Sequence, residues 1–534
     1  MEPASRVRRM AGVVLATCIV LAVAHTWPMV TAPHRLSRVD NGDYQLNAWA
    51  ISWVAHQLIT DPLHLFDANI FWPAGGTLAF SEAMIVQGVI AAPVRWLGGN
   101  PILAFNFAMF AGYVLTAFAF GLLARRWTGS WAAAFVAASA AGFNAHLFTR
   151  MAHLQAMHVE FVALVLYGLD QVFTRSRIRD AVTLGVAFAL QALTSIYLMV
   201  FTTWALIFGG LTRLILAGRE KRGRAVLLAA LAGGTALLLL AFYLKAYYQV
   251  HVQQGFARIP AENQQFAGSY ADFLNTVSWL HYPLWSHRFF PKSVSTNFPG
   301  VVVLALAGVA VVSRASRRDP RVLMCAAIVA GCALVPMAPR LPGYEHIHPF
   351  MPLFWIVRAQ AHMGQVVLLA LAVLAGFGIA QLERRWAGWR GWPALAAAAV
   401  VLINAEAFRA PLPYQPFNGV PRVYNRLIFE DRAIVAEFPL WGRQQLFFNA
   451  TYMLNSTVHW KPLVNGYSGF LPESYVELYE DLKSFPAPTA LDALRRRGIT
   501  HVIVHDQTLY DATVATGAFE QLANDAGIAI FRWR

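Results

Sequence analysis

The stretch MGQVVLLALAVLAGFGIAQLERRWAGWR (363–390) decides the fold class. From Met363 to Leu382 nearly every residue is apolar, and crossing the hydrocarbon core of a bilayer takes ~20 such residues. Arg384, Arg385 and Arg390 follow at once. An apolar run closed by arginines marks a helix that ends on the cytoplasmic side. The pattern recurs. Spans are expected at 11–30, 101–124, 130–147, 155–173, 181–196, 198–217, 225–248, 299–313, 321–338, 363–382 and 392–409, about eleven in all. The basic clusters Arg6/Arg8/Arg9, Arg125/Arg126, Arg175/Arg177/Arg179, Arg219/Lys221/Arg222/Arg224, Arg314/Arg317/Arg318/Arg321 and Arg384/Arg385/Arg390 fall in every second connection. Positive charge in short loops stays inside, so the N-terminus is expected in the cytoplasm and the C-terminus outside.

Composition agrees. Of 534 residues 57% are hydrophobic and 13% charged, against about 25% charged in soluble domains. The net charge of +14 does not point to nucleic acid, because the basic residues sit in short runs between apolar segments. Cys18, Cys325 and Cys332 all lie in apolar segments, which predicts buried thiols and no disulfide or zinc framework. Arg6, Arg8 and Arg9 before an apolar run resemble a signal peptide, but no small-residue cleavage site precedes the polar stretch, so an uncleaved first span is expected.

The expected fold is a polytopic α-helical membrane domain over 1–409 with a small extracytoplasmic α/β domain over 410–534. Three outer loops, 31–100, 251–298 and 338–362, are long and rich in Trp, Tyr, Phe, His and Pro. Such loops are functional more often than disordered. In the first, Asp43 is expected to cap a helix. Leu46, Trp49, Ala50, Trp53, Val54 and Leu58 follow at helical spacing, as in a helix lying at the membrane interface. A second amphipathic stretch is expected from Glu82 to Trp96. After the Pro-rich linker from 411, strands are expected at 433–440, 500–506 and 528–533, and helices at about 473–485, 488–497 and 513–526.

No phosphate-binding loop, dinucleotide fingerprint or paired-cysteine metal motif is present. The candidates for chemistry are polar residues of the outer face. Asp40 and Asp43, in VDNGDYQLNAW (39–49), and Glu82, in GGTLAFSEAM (75–84), can serve as a base or hold a divalent cation such as Mg or Mn. Alternatively, Asp43 and Glu82 only start helices. Arg150, His153 and His158 lie at the outer ends of the third and fourth spans, with Glu160 beside them. Arg150 and His153 suit phosphate contact, and Glu160 suits structural pairing equally well. Arg358, in PLFWIVRAQAHMGQ (352–365), can hold a phosphate bidentately, with His362 one helical turn on, or equally can snorkel to lipid headgroups. Arg258, Arg288 and Arg340 are weaker candidates of the same kind. Glu345, His346 and His348 form a compact cluster better suited to interfacial hydrogen bonding than to metal. The segment STVHWKPLVNGYSGF (456–470) can grip a sugar or pack. Asn449 and Asn455 head glycosylation sequons.

GDYQLNAWAISW (42–53), LFDANIFWPAGGTLAFSE (65–82) and NPILAFN (100–106) resemble the first outer loop of bacterial predicted membrane glycosyltransferases. STVHWKPLVNGYSGF and the PESY after it (472–475) resemble their C-terminal domain. These proteins group with glycosyltransferase superfamily C, alongside protein mannosyltransferases, aminoarabinose transferase and oligosaccharyltransferase. The resemblance covers most of the chain. It implies an inverting transferase of the bacterial inner membrane. Such an enzyme moves a sugar from a polyprenyl-phosphate donor to an extracytoplasmic glycan, lipid or protein acceptor. The essential acid of the first loop maps to Asp43, with Asp40 second. The group's RxPxR-like pattern before a late span reads Arg358-Ala-Gln-Ala-His362 here, without the proline and second arginine. The rival expectations are a lipid-linked glycan transporter or flippase, and a non-catalytic membrane assembly protein.

Overall fold

The structure, a computed structural model, describes residues 3–38 and 42–534. The chain folds into two compact units. The first comprises Met1–Thr31, Met109–Phe242 and Ala257–Leu412; the second comprises Ala32–Ala108, Tyr243–Phe256 and Pro413–Arg534.

Each apolar stretch expected to span contains helix. Among the described residues seven helices are long and apolar enough to cross a membrane: Ala4–His25, Pro101–Thr128, Trp131–Thr149, Ile196–Leu216, Arg219–Gln254, Pro320–Arg340 and Gln360–Arg385. Val301–Val312 and Trp392–Ala407 are apolar but shorter. Glu160–Thr174 and Ile178–Thr194 occupy the fourth and fifth stretches. The brief polar interval at Thr194 and Ser195 breaks the chain there, and the Ser195 hydroxyl accepts the Leu198 N–H at 3.3 Å to start the next helix.

The helix through Gln360–Arg385 is wholly buried over its apolar window and forms the core of the first unit. Its small residues allow this. A Cβ on Gly378 would overlap the Leu306 carbonyl, and one on Gly376 would come 3.1 Å from the Ala124 Cβ. Small residues let helix backbones approach where no hydrophobic force separates protein from lipid.

In the second unit, β1 (Leu36–Arg38) and β2 (Tyr414–Pro416) pair antiparallel. A four-stranded sheet orders β3 (Val435–Phe438), β4 (His501–Val504), β6 (Ile528–Trp533) and β5 (Phe519–Asp525). β3 and β4 are parallel and joined through helices Glu473–Leu482 and Pro488–Arg496. Both strands are buried at every residue, as a parallel pair under a crossover must be.

Two expectations about local structure are corrected. The helix expected at 513–526 ends at Ala515, and 519–525 is strand. Ala526 and Gly527 both take positive φ, 52° and 81°. That pair closes a two-residue hairpin, which places Phe519 against Trp533 at a ring-centroid distance of 4.2 Å. The second correction concerns Asp43–Thr60, expected at the interface. It is buried on most sides, with Trp49 1% and Trp53 5% exposed. Its indoles are spent inward, Trp49 Nε1 on Asn69 Oδ1 at 3.1 Å and Trp53 Nε1 on the Leu65 carbonyl at 2.8 Å.

Candidate functional site

Asp43 belongs to the second unit and is the first residue of its helix, not the cap. The cap is Gly42, at φ 102°. A side chain there would meet the Phe447 carbonyl oxygen at 2.8 Å and the Ala450 Cβ at 3.2 Å. Glycine is therefore required twice, for its conformation and for space. In the first turn the Asp43 carboxylate sits at the N-terminal, positive end of the helix. Tyr467 donates its phenol O–H to Asp43 Oδ1 at 2.6 Å. Tyr467 is the tyrosine of NGYSG, so the two segments that carry the family resemblance meet at this acid. Asp40 lies outside the described residues.

The 456–470 segment mainly packs. Leu463 N–H donates to the Asn69 carbonyl at 2.7 Å, and Trp72 N–H donates to Leu463 at 3.0 Å. Asn465 is fully buried and both donates to and accepts from the β3 backbone at Glu437. Asn449 and Asn455 are 0% and 5% exposed. Their amides are bonded internally, so neither sequon is accessible in this fold.

Glu82 is 8% exposed and lies just before the Ile85–Trp96 helix. Its neighbours are held by Tyr247, whose hydroxyl donates to the Ser81 carbonyl at 2.7 Å and accepts the Ala83 N–H at 3.2 Å. Among the described residues no three His, Cys, Asp or Glu side chains stand together so as to hold a metal ion.

The first unit brings together the residues expected to hold phosphate. His146, buried at 1%, stands T-shaped to His362 with centroids 5.8 Å apart. Ser295 Oγ lies between them, 3.3 Å from His146 Nδ1 and 3.4 Å from His362 Nδ1. Thr149 and Thr296 share a hydrogen bond of 2.6 Å beside them. The charges of Arg150 and Arg358 act on both His153 and His362. Arg358 is exposed, its guanidinium 5.3 Å from the centroid of the Phe266 ring. The enclosing protein, then Arg150 and Arg358, then His146, hold the His153 pKa well below 6.5. A neutral imidazole can accept a proton, and an entering anion would offset the arginine field that adds to burial in keeping it neutral.

Sequence reading missed His146, Ser295 and the residue that places Ser295. Asp272 is 1% exposed, and its carboxylate accepts N–H groups from Ser269 at 2.7 Å and from Val294 and Ser295 at 3.1 Å each. Burial raises its pKa against these bonds. His146 was hidden inside an expected span, yet a helix break at Phe143 and the Asn144 cap lead into the short helix that carries it.

Other candidates take structural parts. His158 Nδ1 pairs with Glu160 Oε1 at 3.0 Å inside the unit. Arg258 pairs with Glu262 at 3.3 Å. Arg340 donates to the Gly268 and Ala267 carbonyls at 2.7 and 3.0 Å. Glu345 and His346 are exposed and 3.8 Å apart, while the His348 ring packs against Tyr344.

No family model and no curated protein matches the sequence. Solved structures do. The chain is similar to the arabinofuranosyltransferase AftD from Mycobacteria, at 14% identity and a TM-score of 0.58 over 98% of this chain and 40% of that one. It is also similar to the oligosaccharyltransferase of Archaeoglobus fulgidus, at 12% identity and 0.51 over 92% of this chain and 68% of that one. The chain thus spans two-fifths of the length of the arabinofuranosyltransferase. At such identities the likeness is one of fold: the chain shares the fold of these two structures, and its apolar helices make it a multi-pass membrane protein.

Proposed function

We propose that this protein is an inverting glycosyltransferase of the bacterial inner membrane, using a polyprenyl-phosphate-linked sugar and an extracytoplasmic acceptor. The observation that carries the reading is the convergence of Arg150, His153, His362 and Arg358, with His146 and Ser295, in one cluster. Two guanidiniums and several imidazoles offer charge-assisted hydrogen bonds to a phosphate. In this reading the cluster holds the donor phosphate and stabilises the charge that grows on it as the C1–O bond breaks. The acceptor oxygen bonds to C1 and gives up its proton, for which Asp43 of the second unit, held by Tyr467, is the proposed base. The sugar ends on the acceptor with inverted C1, and the polyprenyl phosphate leaves with the electron pair. The positive-inside pattern favours an outside location for the outer loops, the N-terminal end of the 363–382 span and residues 410–534.

The test is turnover of short-chain polyprenyl-phosphate sugars by the purified chain in lipid nanodiscs, wild type against Asp43→Asn. Loss of transfer with intact donor binding supports the reading. Equal turnover in both removes Asp43 from the chemistry. Binding without turnover across a broad donor panel favours a flippase, and neither binding nor turnover favours an assembly role.

A further inference from the structure

The opposite end of the first unit's central helix holds a second polar site. A cavity of about 300 Å³ is lined by Trp127, Thr128, Ser316, Asp319, Gln381 and Arg384. His362 and Arg384 are 22 residues apart on one helix, ~33 Å at 1.5 Å per residue. The cavity is therefore remote from the His/Arg cluster and lies among the basic connections.

Two donors that line it are buried without a hydrogen-bond partner. Trp127 is 7% exposed with its Nε1 unmatched, and Ser316 is 4% exposed with its Oγ unmatched. A buried donor left without a partner destabilises the fold unless a ligand answers it. Packing alone does not ask for an indole N–H here, since the ring's partners are Phe377, 6.3 Å between centroids, and the Arg321 guanidinium 5.6 Å away.

The charge balance favours an anion. Asp170 is spent on Arg213 and Arg321, each at 3.0 Å. Asp319 accepts the Arg321 N–H at 3.0 Å at the start of the Pro320–Leu334 helix and sits 3.7 Å from the Arg321 guanidinium. Arg213, Arg321 and Arg384 thus outnumber the carboxylates Asp170 and Asp319 by one positive charge, and Arg384 lines the cavity itself. Two neutral donors beside a surplus guanidinium match phosphate oxygens.

We infer that this cavity binds a phosphate group, carried by an anionic lipid headgroup or present as free phosphate. The inference is independent of the proposed transferase activity. Native mass spectrometry of the full chain, titrated with dioctanoyl phosphatidylglycerol or dioctanoyl phosphatidylcholine, tests it. Thermal unfolding in detergent with and without inorganic phosphate forms the second arm. Trp127→Phe keeps the ring and removes the donor, Ser316→Ala removes the hydroxyl, and Arg384→Gln keeps both donors and removes the charge. Wild type should retain one phosphatidylglycerol about tenfold more tightly than each variant, with no such difference for phosphatidylcholine. A phosphate-dependent rise in Tm, lost in the variants and without lipid preference, identifies free phosphate as the source. If wild type and all three variants retain lipid and respond to phosphate alike, the site does not exist.

Discussion

Asp43 takes its setting from two residues, the Gly42 cap before it and Tyr467, whose phenol bonds its carboxylate. The sequence marks it as the acid at a helix start. Only the fold shows that Gly42 is the cap and that Tyr467, far along the chain, holds its carboxylate. Asp43→Asn should lower transfer by about 10²–10⁴-fold, the usual worth of a general base, with membrane insertion unchanged by protease protection. Tyr467→Phe should keep donor affinity and lower kcat, since it disturbs the orientation of the base and leaves the phosphate cluster untouched. Gly42→Ala should destabilise by about 1–3 kcal/mol, read as a lower unfolding temperature in detergent. His153 gives a pH prediction. Its folded pKa lies below the unfolded value of about 6.5, so the unfolded chain binds more protons as pH falls. The stability it contributes is complete above pH ~6.5 and is lost progressively below it. His153→Gln should flatten thermal stability between pH 7 and pH 5, whereas an unchanged profile would show that His153 does not titrate as described.

At the scale of elements, the buried Asp43–Thr60 helix and the 456–470 segment depend on each other through Asn69. Its carbonyl oxygen takes the Trp49 indole N–H, and its amide donates to Ser456 Oγ at 3.0 Å and the Lys461 carbonyl at 3.1 Å. Asn69→Ala strands these groups at about 1–3 kcal/mol for each that stays buried, and thermal unfolding should fall accordingly. Amphipathic spacing reported that Asp43–Thr60 is a helix. It did not report what covers the Trp face, because Trp49 and Trp53 suit a lipid interface and a protein interior equally well. The strand at 519–525 was missed for a related reason. FEQLAND carries acids and amides that helices also accept, and the hairpin is set by the backbone of Ala526 and Gly527 and by Phe519 finding Trp533.

At the scale of the whole molecule, the proposed topology makes an accessibility prediction. Cys18, Cys325 and Cys332 are buried, so cysteines introduced at exposed positions report cleanly. A membrane-impermeant maleimide should label Phe429→Cys in intact spheroplasts and Arg177→Cys only after lysis. The reverse would invert the membrane orientation. By itself the sequence determined the membrane class, the helical stretches and the alternation of basic loops. Each follows from the cost of placing polar groups in hydrocarbon, a property of consecutive residues. It also named Arg150, His153, Arg358 and His362, because ionisable groups near span ends stand out against apolar neighbours. Tertiary structure alone decided that His146 and Ser295 come beside His362 within the field of Arg150 and Arg358, that Asp43 is bonded by Tyr467, and that the first loop folds with residues 413–534. These are contacts between residues tens to hundreds of positions apart, and no local periodicity encodes which distant side chain will complete a buried hydrogen bond.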